Sequence, residues 1–409
     1  MMRHSEPPTE FKIPGNIDVT NWFGGRFLDA PVLVTGHTGF KGSWLCRWLH
    51  LCGAKVHGYA LDPPAHASLH DQLKLGDVLA SDQRGDISDA SRLKQLVEQV
   101  QPRFVFHLAA QPLVRYSYES PVETFATNVQ GTVHVLDALR SVDHTCQAVV
   151  VTTDKCYANQ EWEHGYREVD PLGGKDPYSA SKAAAELVTA SYRDSFFCQG
   201  PVRVASARAG NVIGGGDWAT DRIVPDCIRA IRAGIPIGIR NRFSTRPWQH
   251  VLEPLSGYLW LAAKLDMASD TYGQKHDSSS SLESAFNFGP PLHSNRTVAD
   301  LVAELVREFP GATWRDESDP HASHEASRLD LAIAKSHHLL GWTPAWDFRK
   351  TVRLTAEWYQ AEQTQADMAE YTDGQIHRYC QDASDNSMAW AQEPNIVTPN
   401  QPTDSQQAA

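Results

Sequence analysis

From residue 31 onward, short valine-rich apolar runs alternate with stretches of helical spacing. The runs are 31–35 (PVLVT), 55–61 (KVHGYAL), 103–109 (RFVFHLA), 148–153 (AVVVTT) and 202–208 (VRVASAR). They are too short for helices, and continuous apolar runs of this length read as buried parallel strands. Apolar positions recur with helical period over 40–52, 89–100, 121–140 and 178–197. Repeated strand–helix–strand units predict an α/β fold: a doubly wound parallel sheet of Rossmann type, with a smaller C-terminal substrate-binding lobe. After 209 the rhythm breaks. Glycine, proline and tryptophan become dense, and helical patterns return at 221–233, 252–265, 296–309 and 348–360. The segment 276–284 (HDSSSSLES) predicts a surface loop. The chain thus divides into an N-terminal extension (1–27), a cofactor domain (28–208, sharing elements with later segments), a ligand lobe (209–382) and a polar, flexible tail (383–409). No internal repeat is visible.

Composition narrows this picture. The 409 residues, 41% apolar and 21% charged, suit two packed cores or one large domain with a lobe. Seven cysteines without a C-x-x-C pair predict free thiols in a reducing compartment. The first residues (MMRHSEPPTE) lack the apolar centre of a signal peptide, and no run of about 18 apolar residues occurs. Both point to a cytoplasmic protein. The net charge of −12 argues against broad nucleic-acid affinity, although a small anionic ligand could still bind at local arginines. The eighteen histidines are scattered and form no metal constellation.

The first strand runs into Gly36, Gly39 and Gly42, and a helix pattern follows. Such glycines let backbone approach a pyrophosphate, and the helix start offers free N–H groups and a positive dipole end. His37, Phe40 and Lys41 stand among the glycines. His37 is expected to crowd the cofactor, so that His37→Gly would tighten it. Lys41 is expected to touch the pyrophosphate or point to solvent. Asp62 stands twenty residues past Gly42, where an acid accepts from the adenosine ribose and repels a 2′-phosphate. The expected cofactor is therefore NAD.

The G-x-x-G-x-x-G spacing resembles the extended short-chain dehydrogenase/reductase family, over roughly residues 30–360. The resemblance puts Asp86 and Ile87 at the adenine, Leu108, Ala109 and Ala110 beneath the cofactor, and Thr127 beside it. Tyr178 and Lys182 share a helix face, and a cation near a phenol favours a usable base. The family's catalytic triad falls on Thr153, Tyr178 and Lys182. The following Asp154 and Lys155 are similar to the sugar-nucleotide 4,6-dehydratase branch, and the Asp-Lys form looks like its cytidine-nucleotide members. That resemblance makes Asp154 the acid for the departing 6-hydroxyl. Lys155 is either the base at carbon 5 or a cation that stabilises the enolate. The implied cycle is oxidation at carbon 4, elimination of water across carbons 5 and 6, and hydride return to carbon 6.

The segments 208–226, 244–259 and 324–332 also resemble the cytidine-nucleotide branch. They imply Arg208, Asn211, Arg222, Arg246, Trp248, His324 and Glu325 as substrate contacts, with Gln111 and Arg115 facing the sugar. Arg240 and Arg242 add positive charge there. The implied substrate is the small molecule CDP-glucose, and the implied assembly is a homodimer or homotetramer built on 121–140 and 178–197. A dehydratase for another nucleotide and a 4-epimerase are the nearest rivals, although epimerisation needs no acid at carbon 6. A non-catalytic NAD-sensing regulator is a rival of another class. Such proteins usually lose the tyrosine and lysine that this chain keeps.

Overall fold

The computed structural model describes residues 19–64, 68–269, 282–318 and 328–392. Seven strands build the central sheet: β1 (Pro31–Thr35), β2 (Lys55–Ala60), β3 (Ser81–Arg84), β4 (Phe104–His107), β5 (Cys146–Val151), β6 (Val202–Ala209) and β7 (Ala285–Phe288). Their order is β7-β6-β5-β4-β1-β2-β3, with every pair parallel. The order reverses between β1 and β4, and in such sheets ligands bind outside the carboxyl ends of the strands near that point. The valine-rich runs become the inner strands, and all six residues of β5 are buried.

Sequence periodicity did not reveal β3 and β7. The sequence of β3, Ser-Asp-Gln-Arg, has no apolar position, because it is an edge strand with a half-open surface. β7 is only four residues long and follows a serine-rich stretch.

Helices lie on both faces, and their starts follow from capping side chains. Asp176 accepts from the Ser179 N–H at the start of the Pro177–Tyr192 helix, with proline at the first helical position. Thr297 and Asp300 form a reciprocal capping box for the Val298–Glu308 helix. The stretch expected as one helix over 121–140 is helical from Pro121 to Leu139, but Ala126–Gln130 forms a π-turn. A further helix, Met368–Asp385, follows the one at Phe348–Gln363.

The polar tail expected from 383 is packed as far as it is described. Trp390 is fully buried, and its ring stacks on Phe23 at 5.1 Å and on Tyr379 at 5.6 Å. The end of the N-terminal extension therefore joins the same aromatic cluster, with Trp22, Phe23 and Phe27 buried. Burying large rings outweighs the polar character of the flanking residues. Among the described residues, no helix is long and apolar enough to cross a membrane. The seven cysteines are free thiols, and Cys198 alone among them is exposed.

Candidate active site

The glycine loop leaves β1 and enters the Phe40–Leu51 helix. Gly36 has φ +78°, and a Cβ there would lie 2.7 Å from the Ala109 nitrogen. At Gly42 a Cβ would meet the Gly36 carbonyl at 2.1 Å. Only glycine allows this turn to sit so close to the segment after β4. Gly39 is exposed at the N-cap, and no side chain caps the helix start. The first-turn N–H groups therefore lie open to an anion. Phe40 is half-buried, as are Leu108, Ala109, Ala110 and Thr127. Asp86 accepts from the Ser88 N–H at 2.7 Å, and Ile87 is buried.

Two expectations for this loop are corrected. The His37 ring does not stand over the cofactor path. It is fully buried beneath Gly58, with Nε2 2.7 Å from Asp82 Oδ1. Burial pulls its pKa below the usual histidine value. Lys41 points neither to solvent nor along the helix start. Its Nζ lies 3.5 Å from the Tyr258 hydroxyl and 5.9 Å from that ring's centre. Burial, helped by the charge of Arg222, pulls its pKa to about 7, and Asp154 opposes the shift. The ammonium thus lies with Asp154, Lys155 and Lys182.

These residues gather where β5 ends. Thr153 caps a short turn over Asp154–Cys156, and Asp154 is fully buried. The Thr153 hydroxyl donates to Asp154 Oδ1 at 2.9 Å, and Lys155 Nζ donates to the same oxygen at 3.1 Å. Asp154 Oδ2 is buried with no hydrogen-bond partner. Lys155 also reaches Asn211 Oδ1 at 3.4 Å. Tyr178 is buried beside Thr153, and Lys182 Nζ donates to the Val151 carbonyl at 3.0 Å. Burial pushes the Tyr178 phenol up to about 12, against the Thr153 hydrogen bond and the charge of Arg222. Burial pulls Lys182 down to about 8, against the charge of Glu186. The expected lowering of the phenol pKa therefore does not appear, because desolvation of a phenolate outweighs the nearby cations.

The substrate-side expectations divide. Arg208 is 3% exposed and is bound to Glu186 at 2.8 Å, the Tyr157 hydroxyl at 2.8 Å and the Glu168 carbonyl at 3.2 Å. It is a structural cation, not a phosphate ligand. Trp248 is buried in the main core and donates to the Arg296 carbonyl at 3.0 Å, so its ring does not line the ligand site. Gln111 turns inward, giving its amide N–H to the Leu113 carbonyl at 3.1 Å and Thr124 Oγ1 at 2.8 Å. Arg222 pairs with Asp217 at 2.9 Å, close enough to bias Tyr178 and Lys41. Arg115 and Arg240 both hold Asp221 Oδ1 at 3.1 Å. Arg242 pairs with Asp316 at 3.2 Å. Arg246 donates to the Thr245 carbonyl at 2.9 Å on a two-stranded ribbon with Asn295–Thr297. His324 and Glu325 lie outside the described residues.

Tyr258, Glu186 and Asp221 carry no signal in the sequence pattern. Each acts through partners 19 to 217 residues away in sequence. No spacing rule carries that information.

The sequence matches the GDP-mannose 4,6 dehydratase family across residues 33–355. It is 46% identical over 351 residues to a CDP-glucose 4,6-dehydratase of Salmonella typhimurium, covering 84% of this chain and 93% of that protein. It is 31% identical over 343 residues to a dTDP-glucose 4,6-dehydratase of Streptomyces antibioticus, covering 80% and 92%. Among solved structures, the fold is shared with a dTDP-glucose 4,6-dehydratase of Streptomyces venezuelae that has NAD bound. The TM-score is 0.66 at 23% identity, covering 83% of this chain and 99% of that one.

Proposed function

We infer that this chain, which belongs to the GDP-mannose 4,6-dehydratase family, converts CDP-glucose to CDP-4-keto-6-deoxyglucose and water. One observation carries the dehydratase reading at the site. A fully buried carboxylate, Asp154, keeps one oxygen free next to the Thr153, Tyr178 and Lys182 cluster. A simple oxidation or epimerisation has no use for that group, whereas removal of a 6-hydroxyl needs an acid beside it. The likeness to the Salmonella enzyme supports cytosine as the base.

The residues present fit NAD. The uncapped helix start and the close turn at Gly36 leave room and donors for a pyrophosphate, and Asp62 stands at the ribose corner. When bound, NAD supplies reversible two-electron transfer with the sugar and is not consumed. Gly36, Gly39 and the first-turn amides of Phe40, Lys41 and Gly42 would hold it, with Asp62, Asp86 and Ala109 along its length.

Tyr178 takes the proton of the carbon-4 hydroxyl, and Thr153 holds that oxygen. The charge of Arg222 biases the phenol toward its anion against the cost of burial. Asp154 gives its proton to the leaving 6-hydroxyl through its free oxygen. Lys155, held between Asp154 and Asn211, takes the proton that carbon 5 loses. Arg115, Arg240 and Arg246 supply positive charge for the diphosphate. The enzyme works in the cytoplasm and feeds deoxysugar and O-antigen synthesis. A homodimer or homotetramer is supported by Val122, Phe125 and Leu187, exposed apolar residues on the paired helices.

The test is incubation with CDP-, dTDP-, GDP- and UDP-glucose, read by mass. Loss of one water from CDP-glucose alone is expected. An unchanged CDP-glucose mass, with and without added NAD, would overturn the reading.

A further inference from the structure

The corner where β2 and β3 end holds a charge cluster, two buried histidines beneath the part-exposed Asp82 and Arg84, that the reading above leaves unused. Arg84 is the last residue of β3 and lies in register with Ala60, the last residue of β2. Its guanidinium is gripped from beneath. Nη2 donates to Asp82 Oδ2 at 3.0 Å, and Nη1 contacts Asp82 Oδ1. His37 Nε2 lies 2.9 Å from Nη1, and His70 Nε2 lies 3.5 Å from Nη2. The same two rings meet the carboxylate of Asp82 at 2.7 and 3.0 Å. His37, His70 and Asp82 are close enough together to pass for metal ligands, but the guanidinium already supplies the cation among them.

The outer side is different. Asp62 Oδ1 approaches Arg84 Nε at 3.4 Å, and the Asp62 side chain is 88% exposed. Thr38 in the glycine loop donates to the Leu61 carbonyl at 3.1 Å, which ties this corner to the cofactor loop. In dinucleotide folds an acid here serves a ribose 2′-hydroxyl, whereas a nearby arginine accommodates a 2′-phosphate. This chain has both groups in contact. A planar guanidinium already held by Asp82 suits phosphate oxygens, because less ordering remains to be done.

We propose that Asp62 and Arg84 form a selectivity pair, in which Asp62 excludes 2′-phosphorylated dinucleotides and masks in Arg84 a ready-made 2′-phosphate site. The proposal rests on the NAD reading of the glycine loop. It goes beyond that reading by assigning a ligand chemistry to Arg84. His37, buried and bonded to Asp82, acts here as support for the arginine and not as a cofactor contact.

The test uses the full chain and measures NAD and NADP affinity by calorimetric titration, with thermal shift as a second readout. Wild type is expected to bind NAD and to bind NADP weakly. Asp62→Asn removes an exposed charge and should tighten NADP about tenfold or more while weakening NAD, the scale of one charge-assisted hydrogen bond. Adding Arg84→Gln to Asp62→Asn should cancel the NADP gain. The proposal is overturned if Asp62→Asn binds NADP no better than wild type, or if the gain survives Arg84→Gln. Wild type that binds neither dinucleotide would overturn the underlying cofactor reading as well, so the two failures are told apart.

Discussion

Glu186 and Asp154 are two buried carboxylates near the ends of adjacent strands, and each has a cation beside it. Glu186 is engaged at both oxygens. It accepts from Arg208 at 2.8 Å, from the Ser206 hydroxyl at 2.7 Å and from the Thr152 hydroxyl. Burial alone would raise its pKa, but Arg208 and the two hydroxyls win and hold it below the usual carboxylate range. Asp154 shares one oxygen between Thr153 and Lys155 and leaves the other free. A carboxylate with partners on both oxygens is scaffolding. One with an open oxygen in a cleft can move a proton. Burial and charge are alike in the two, so hydrogen-bond completeness separates structure from chemistry.

The comparison can be broken in several places. The largest effect is expected at the reacting side. Tyr178→Phe should lower turnover by about 10²- to 10⁴-fold, the range for loss of a positioned acid–base group, with the melting temperature unchanged. Turnover at the wild-type rate would remove Tyr178 from the chemistry.

Arg208→Met should act on the scaffold. Leaving Glu186 buried without its cation is expected to lose about 3–5 kcal/mol in urea unfolding, with the KM for the nucleotide sugar unchanged. Intact stability with a raised KM would instead make Arg208 a substrate ligand.

Asp154→Asn sharpens the contrast directly. Water loss should slow about 100-fold while oxidation at carbon 4 continues. Mass spectra of a single turnover would then show a sugar lighter by two hydrogens, not by one water. Dehydration at the parent rate would end the acid role of Asp154.

The smallest effect concerns a third buried carboxylate, Glu253, which accepts from the Ala345 and Trp346 N–H groups and the Tyr379 hydroxyl. Burial raises its pKa from 4.5 to about 7. The folded state then binds more protons than the unfolded state between those values, so this group's stabilising effect is present below pH 4.5 and is lost as pH rises toward 7. Glu253→Gln should remove about 1–3 kcal/mol of that downward slope in unfolding measured across the window. An unchanged slope would show that Glu253 does not titrate there.

Much of the catalytic corner was legible in sequence because its parts are local. Thr153, Asp154 and Lys155 are contiguous, and Tyr178 and Lys182 are one helical turn apart. The substrate side was less legible. Arg208, Trp248 and Gln111 have residue types suited to ligand binding, but their partners inside the protein claim them first. Lys41 shows the reverse. Its place in the glycine loop suggested a phosphate contact, yet the helix turns it toward Tyr258 on a helix more than two hundred residues later.

Valine runs, glycine spacing and helical period act over a few residues, so the parallel sheet, the glycine turn and the set from Thr153 to Lys182 are readable in the chain alone. The three-dimensional fold sets which charges are neutralised. It paired Arg208 with Glu186, placed Asp62 against Arg84, and left one oxygen of Asp154 open. The physical reason is that desolvation and pairing depend on what the fold brings alongside a group, and the chain's local pattern does not encode that.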